Sequence, residues 1–186
     1  MPESTIVPRR SFFAAAGKTT LSAGAVLLLA GCGTRQAAMA ADPAADVNVL
    51  NAALGAEQEA IAAYQVGAES GLLTQPVLDL AVQFQGHHKE HADLLAKTVH
   101  DFGGQPVEPL PRYDFPTEQL TSEADVLRFA AGLEKGAVSA YLGAVPLFHE
   151  RELAKAAASI LGDEAMHWAV LRQALGENPV PVAFVS

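Results

Sequence analysis

The chain has 186 residues, a net charge of −9 and a single Cys, and 50% of its residues are hydrophobic. This length fits one or two domains, and the modest Gly and Pro content excludes a collagen-like or Pro/Gly-rich disordered protein. The lone Cys excludes an internal disulfide and a multi-cysteine metal site, and the acidic balance argues against nucleic-acid binding, which depends on neutralising phosphates.

The first forty residues have the pattern of an export signal rather than of a domain. Arg9 and Arg10 precede Phe12 and Phe13, and a short, weakly apolar stretch follows between residues 14 and 30. That stretch is too short to span a bilayer stably, whereas a basic start, a short apolar centre and small residues are typical of a signal peptide. The pattern resembles a bacterial twin-arginine (Tat) signal, which predicts a protein that functions outside the cytoplasm.

Two cleavage sites compete at the end of this signal. Residues 29–32 resemble a lipobox, in which Cys32 is lipidated and becomes the mature N-terminus. Residues 38–40 fit ordinary signal peptidase cleavage instead. We favour the lipobox because a lone Cys is otherwise unusual in an exported chain. The sequence therefore predicts a periplasmic or cell-envelope protein with a membrane anchor at Cys32.

Two helices are predicted in the first half of the remaining chain, where apolar residues recur at helical spacing. Asp42 and Pro43 supply an N-cap and a first-turn proline for the first helix, which ends near Gly71. The second helix begins near Pro76 and extends to about residue 99. Because the connection is short, we expect an antiparallel hairpin.

A second helical hairpin is predicted in the other half. Ser122 and Asp125 form a variant of the capping box at the start of the third helix, and Pro146 ends it. The fourth helix covers about 150–175 and stops at Gly176. We therefore divide the chain into a signal region and linker (1–40), a four-helix domain (41–178) and a C-terminal tail (179–186).

The segment between the hairpins, about 102–121, is rich in Gly and Pro and is not expected to be helical. Fully extended at about 3.3 Å per residue, it reaches about 60 Å. Helices of ~25 residues are ~38 Å long, so the segment is long enough to run the length of a bundle. One long crossover is the connectivity of the ferritin-like four-helix bundle, and the predicted fold class is all-α of this type.

The two hairpins repeat each other in sequence. At an offset of 77 residues, Glu57 aligns with Glu134 and Tyr64 with Tyr141. Both glutamates lie within apolar stripes, where an ionised carboxylate is unfavourable unless it is paired or bound to metal. A pseudo-twofold bundle would bring the two glutamates together. We expect the tyrosines to be core aromatics whose hydroxyls are hydrogen-bonded.

The second helices of the two hairpins align at an offset of 76, which matches His88 with Glu164 and His91 with His167. Glu164 and His167 are three residues apart and share a helical face. One Glu from each of two helices, with Glu-x-x-His from each of the other two, is the ligand set of di-iron and di-manganese carboxylate bundles.

Residues 45–176 thus resemble a ferritin-like domain of the kind found in Tat-exported and desiccation-related bacterial proteins. The resemblance implies that Glu57 and Glu134 are terminal carboxylate ligands, that His91 and His167 are imidazole ligands, and that Glu164 is a bridging carboxylate.

His88 departs from that pattern, because it stands where a second bridging Glu is expected. A neutral His cannot bridge two metals as a carboxylate does, and the exchange removes one negative charge. We keep His88 among the candidate metal ligands. A dinuclear, mixed or single-metal site is left open, since three His and three Glu suit Fe, Mn or Zn. We expect the neighbouring His87 to be exposed or in a helix interface.

Two functions remain from the sequence. The first is an exported metal-binding protein, with Fe or Mn as cofactor, acting as a dinuclear oxidoreductase in oxidative or envelope stress. The second is a metal-free envelope protein with a structural or desiccation-protective role, in which Glu57 and Glu134 pair with histidines across the bundle. The expected partners are metal ions and a membrane, but no nucleic acid; catalysis and a homodimer are left open.

Overall fold

The computed structural model describes residues 43–185. The predicted export residues Arg9 and Arg10, the lipidation site Cys32 and the N-cap Asp42 lie outside this range. The described chain contains four α-helices, which we label α1 to α4, and no strand. Their bounds are Pro43–Glu69, Gln75–Asp101, Glu123–Ala144 and Arg151–Ala174, and short 3₁₀ helices lie at Thr117–Gln119 and Val145–Leu147. The predicted all-α four-helix fold is therefore confirmed.

The helices form two hairpins, α1 with α2 and α3 with α4, which pack together as a bundle. Gly71, near the start of the connection between α1 and α2, has φ of 69°, and Gly176, just after α4, has φ of 72°. At the end of α4, the Glu177 amide donates to the Arg172 carbonyl and the Gly176 amide donates to the Gln173 carbonyl. This hydrogen-bond pattern is a Schellman motif, and its left-handed residue is normally glycine.

The crossover between the hairpins runs along the outer surface of α1. The Asn51 side chain donates to the Gln105 carbonyl and accepts from the Val107 amide, both at 2.9 Å. Two helical turns further along α1, the Gln58 side chain donates to the Val107 carbonyl. These side chains provide hydrogen-bond partners for backbone groups of a segment that is neither helix nor strand.

The start of α4 is held by a buried carboxylate from α1. Asp46 is fully buried and accepts hydrogen bonds from the backbone amides of His149 and Glu150, at 2.8 and 3.1 Å. Burial acts to raise the pKa of Asp46, but these amides and the His149 side chain outweigh it, so the pKa is lowered. Asp46 therefore caps α4 across the bundle, because no side chain of its own N-cap residue does so.

The core consists of apolar clusters on either side of a polar layer. One cluster contains Leu50, Leu54, Ala92, Leu95, Val99 and Leu153. Another contains Tyr64, Phe84, Leu127, Ala131, Trp168 and Leu171. Between them along the helices lie the buried charged residues described next. Over residues 43–185, none of the helices has the length and apolarity that crossing a membrane would require.

Candidate metal centre

All four helices contribute acidic or imidazole side chains to one cluster in the middle of the bundle. The glutamates come from α1, α3 and α4, and they are at most 2% exposed. The imidazoles come from α2 and α4. The structure thus brings together the six residues singled out in the sequence, which we call the inner cluster: Glu57, His88, His91, Glu134, Glu164 and His167.

The inner cluster consists of two overlapping groups of four potential ligands. Within each group, one nitrogen or carboxylate oxygen per residue lies within 4.8 Å of the corresponding atoms of the others. His88 and Glu164 belong to both groups. The first group adds Glu57 and His91, and the second adds Glu134 and His167. Of the two shared members, Glu164 has two carboxylate oxygens and can serve a pair of adjacent metal ions, whereas His88 can serve only one of them at a time.

His88 lies between the two terminal carboxylates. Its Nδ1 is 2.8 Å from Glu57, and its Nε2 is 3.3 Å from Glu134. Burial acts to lower the pKa of His88, but the contacts with Glu134 and Glu57 outweigh it and raise the pKa to about 10. In the absence of metal, these two glutamates from different hairpins favour the protonated form of His88.

The donor set fits a metal because several of its buried atoms have no hydrogen bond. Among the described residues, every such buried side-chain atom belongs to the inner cluster: His91 Nδ1, Glu134 Oε2, His167 Nδ1 and both carboxylate oxygens of Glu164. His91 Nδ1 lies 3.1 Å from Glu164 Oε1 and His167 Nδ1 lies 3.4 Å from Glu164 Oε2, so these atoms are in ion-pair contact without aligned hydrogen bonds. Imidazole nitrogens and carboxylate oxygens suit Fe, Mn and Zn, so a bound cation would satisfy these atoms.

The carboxylates also favour the protonated forms of the two remaining imidazoles. Burial acts to lower the pKa of His91, but Glu164 and Glu57 raise it to about 9. Burial has the same effect on His167, and Glu134 and Glu164 raise its pKa to about 9. Since a histidine ligand must be deprotonated, metal binding here has to displace protons.

Each terminal glutamate accepts a hydrogen bond from a tyrosine of the other hairpin. The Tyr64 hydroxyl of α1 donates to Glu134 of α3, and the Tyr141 hydroxyl of α3 donates to Glu57 of α1 at 2.5 Å. Burial and the adjacent carboxylate charges raise both tyrosine pKa values. The hydroxyls are satisfied, as the sequence indicated, but the alignment did not identify their partners.

A carboxylate that the sequence interpretation missed lies behind the imidazoles. Asp163 Oδ2 is 3.2 Å from His167 Nε2 and 3.5 Å from His91 Nε2. A carboxylate at this nitrogen holds the ring so that Nδ1 faces the inner cluster. His87, 35% exposed and lying between α2 and α4, is 3.1 Å from the same oxygen. The 76-residue offset between α2 and α4 aligns His87 with Asp163, so the sequence repeat could have identified this pair.

An apolar cleft of about 560 Å³ opens between α1 and α3 and leads to the inner cluster. Its walls are mainly small side chains, among them Ala56 and Ala140. Glu57, His88 and Tyr141 also line it. The buried carboxylate of Glu57 is thus adjacent to a space large enough for a small molecule.

Comparison with solved structures shows the same architecture. A conserved hypothetical protein of Mycobacterium tuberculosis is similar with 24% identity and a TM-score of 0.66, covering 76% of this chain and 97% of its own. A ferritin-like, diiron-carboxylate protein of Bacillus anthracis is similar with 21% identity and a TM-score of 0.60, covering 69% and 94% respectively. These likenesses concern the fold.

Comparison with curated proteins found no match. The family described as "Ferritin-like domain" matches residues 45–177, which include both hairpins and the whole inner cluster. Together with the helix order, the long crossover and the convergence of the four helices on one polar layer, this match shows that the chain belongs to the ferritin-like domain family.

Proposed function

We propose that the protein is an exported metal-binding member of this family, whose inner cluster holds one or two Fe or Mn ions for redox chemistry with O₂ or peroxide. The observation that carries the proposal is the pair of overlapping ligand groups, together with the buried nitrogen and oxygen atoms that lack hydrogen bonds. Oxidative or envelope stress is the setting that fits an exported protein of this chemistry.

The ligand roles follow from the two groups. Glu57 and His91 would hold one ion, Glu134 and His167 would hold the other, and Glu164 would be shared. Iron or manganese bound there would supply one-electron transfer to O₂ or peroxide. The proposal includes His88 as a ligand after it loses its proton. The three carboxylates carry one negative charge fewer than two divalent ions need, which favours a firmly held first ion and a weaker second.

The surrounding residues prepare the site for that role. The hydroxyls of Tyr64 and Tyr141 fix the terminal carboxylates, and Asp163 orients two imidazoles. The apolar clusters above and below the polar layer exclude bulk water. The cleft beside Glu57 supplies a path for a small oxidant.

Metal analysis of purified protein tests the proposal directly. Protein isolated without chelator, or reconstituted anaerobically with Fe²⁺ or Mn²⁺, is expected to contain one to two ions per chain. Metal should also raise the melting temperature, because binding to the folded state alone stabilises it by about 2.7 kcal/mol when free metal is 100 times its dissociation constant. Glu134→Ala should abolish the gain, whereas Glu59→Ala, on an exposed face of α1, should not.

No metal in the isolated protein, combined with a melting temperature that Fe²⁺, Mn²⁺ and Zn²⁺ leave unchanged, would contradict the metal proposal. Helical content of each variant, measured by circular dichroism, separates lost binding from lost folding.

We also propose export by the twin-arginine route and lipid anchoring at Cys32, on the sequence pattern alone. The route carries folded proteins, so a metal inserted in the cytoplasm would be retained during export. The localisation is then the periplasmic or envelope side of the membrane.

A metal-free structural function is the second candidate, and the state of His88 favours it. Three carboxylates and three imidazoles with raised pKa values form a nearly neutral network without any metal ion. In this case the cluster would hold the hairpins in register, and the protein would protect the envelope through its surface or a partner. The same metal analysis decides between the two candidates.

A further inference from the structure

A second group of potential ligands lies outside the inner cluster, at the interface of α2 and α4. It contains His87, Asp163 and the Nε2 atom of His167, and we call it the outer cluster. His87 Nδ1 is 2.8 Å from His167 Nε2 and 3.1 Å from Asp163 Oδ2, and the last two atoms are 3.2 Å apart. Three donor atoms on two helices thus converge on one point.

The outer cluster uses a different atom of the shared imidazole. The Nδ1 of His167 faces Glu134 and Glu164 in the inner cluster, at 3.4 Å from each. Its Nε2 faces His87 and Asp163 instead. The two groups therefore use different atoms of one ring. Because a neutral imidazole has one lone pair, metal at both sites requires His167 to act as an imidazolate.

Whichever ring carries the proton, His87 or His167 directs an imidazole lone pair into the outer cluster. Two imidazole nitrogens 2.8 Å apart cannot both carry a proton along the line that joins them, so one of them is an acceptor. The carboxylate oxygen beside them adds a negative charge. A deprotonated imidazole next to a carboxylate is the chemistry that a divalent transition ion needs.

The spacing also fits an ion. With bonds of about 2.0–2.1 Å, ligand atoms on a tetrahedral ion lie about 3.3–3.4 Å apart. The two separations that involve Asp163 are shorter by about 0.1–0.3 Å and the His87–His167 separation by about 0.5–0.6 Å, so the two imidazoles would have to move apart by about half an ångström. His87 and Asp163 are 35% and 24% exposed, which leaves a fourth position for water.

We propose that the outer cluster is a separate mononuclear site for a divalent transition ion of the Zn²⁺ or Co²⁺ type, with two imidazoles, one carboxylate and one water as ligands. Coordination at His167 Nε2 releases the proton on that nitrogen to solvent. When Nδ1 of the same ring also binds an inner ion, the second ring proton is released as well, and the ring is shared as an imidazolate. The outer ion is nearer to solvent than the inner cluster and shares His167 with it. Occupancy of one site is therefore expected to affect the other.

Titration with Co²⁺ tests the proposal, because four-coordinate cobalt absorbs visible light far more strongly than six-coordinate cobalt. Full-length folded protein should bind one more equivalent of Co²⁺ than His87→Ala, and that equivalent should carry the four-coordinate spectrum. His100→Ala, an exposed histidine at the end of the same helix, is the matched control and should bind as much as the wild type. Equal stoichiometry in wild type and His87→Ala would overturn the proposal.

A second variant separates this proposal from the proposed function of the inner cluster. Glu57→Ala combined with Glu134→Ala removes one terminal ligand from each inner group and none from the outer cluster. It should retain one equivalent of Co²⁺, which the further change His87→Ala then removes. A double variant that retains no cobalt while circular dichroism shows an intact bundle would overturn the outer site, whatever the wild type binds.

Discussion

The hydroxyl of Tyr141 donates a 2.5 Å hydrogen bond to the buried carboxylate of Glu57, 84 residues away on the other hairpin. Tyr64 and Glu134 form the reciprocal pair. Each hairpin therefore provides one tyrosine donor and one carboxylate acceptor, and the two bonds tie α1 to α3 on either side of the cluster. This exchange accounts for the repeat of Glu and Tyr seven residues apart.

The first prediction concerns these bonds. Tyr141→Phe should lower the free energy of unfolding of the metal-free protein by about 1.5–3 kcal/mol, the range for a hydrogen bond to a charged group. It should also weaken metal binding roughly 10–100-fold, as is typical when a partner of a ligand is removed. Denaturant unfolding and metal titration measure the two effects. Tyr64→Phe should behave similarly, and Tyr113→Phe in the crossover should change metal binding little.

The second prediction concerns pH. In the metal-free protein, the pKa of His88 is about 10 and those of His91 and His167 are about 9, against 6.5 for a free imidazole. Between pH 6.5 and these values the folded state holds more protons than the unfolded state, so stability should fall as the pH rises through the window. The free energy of unfolding should fall by up to about 1.4 kcal/mol per pH unit for each extra proton that the folded state holds.

Metal binding should follow the opposite trend, because the same protons must leave before the imidazoles can act as ligands. The gain in melting temperature from added metal should be larger at pH 8.5 than at pH 6.5. Unfolding in EDTA and in metal, each followed over pH 6–10, checks both trends. A metal-free protein that is equally stable at pH 7 and pH 9.5 would show that the imidazoles are not held as cations.

The third prediction concerns Asp46, whose carboxylate caps α4. Asp46→Ala should destabilise the bundle by about 1–3 kcal/mol, because two buried amides lose their acceptor. The folded pKa of Asp46 is lowered, so its contribution is present above the unfolded value of 3.8 and is lost as the pH falls through the lower, folded value. The variant should therefore lose less stability than the wild type on acidification. Glu152→Ala, exposed in the first turn of α4, is the control.

The fourth prediction concerns the cleft between α1 and α3. Ala140→Leu adds bulk to its wall and should slow the oxidation of metal-loaded protein by peroxide several-fold, measured by stopped-flow absorbance. The metal content should stay unchanged, because Ala140 donates no ligand. Ala158→Leu places the same side chain on an exposed face of α4 and should leave the rate unaltered. Equal rates in both variants would exclude the cleft as the route for peroxide.

The fifth prediction concerns export. Changing Arg9 and Arg10 together to Lys should leave full-length precursor in the cytoplasm, as fractionation and immunoblotting would show. Cys32→Ala should move the exported protein from the membrane to the soluble fraction. Unimpaired export of the lysine variant would refute the twin-arginine interpretation. Wild-type protein that is already soluble would favour cleavage after Ala40.

The helices were predictable because apolar periodicity and local capping signals do not depend on tertiary contacts. Ser122 accepts from the Asp125 amide as the sequence indicated, and Gly176 occupies the left-handed position after α4. The inner glutamates were identifiable because charges within apolar stripes need a partner, and the repeat predicted that the two would converge.

The helical spacing of apolar residues could not predict that Asp46 caps α4 or that Asp163 contacts the imidazoles. Asp46 lies one turn into α1 and looks like an ordinary first-turn acid, but its partners are amides 103 and 104 residues away. Asp163 lies at the edge of the apolar stripe of α4, and its role depends on which imidazole nitrogens face it. The repeat also aligned tyrosine with tyrosine without indicating that the hydrogen bonds cross between hairpins.

The overlap of the two ligand groups has a consequence for fragment complementation. His88 of the first hairpin completes the group that is otherwise in the second, and Glu164 of the second completes the group that is otherwise in the first. A peptide of either hairpin alone thus lacks a ligand of its own group. The crossover supplies a high effective concentration of each hairpin for the other. If the chain is cut within residues 105–116, the shared apolar core should still bring the halves together, and metal should make their association measurably tighter.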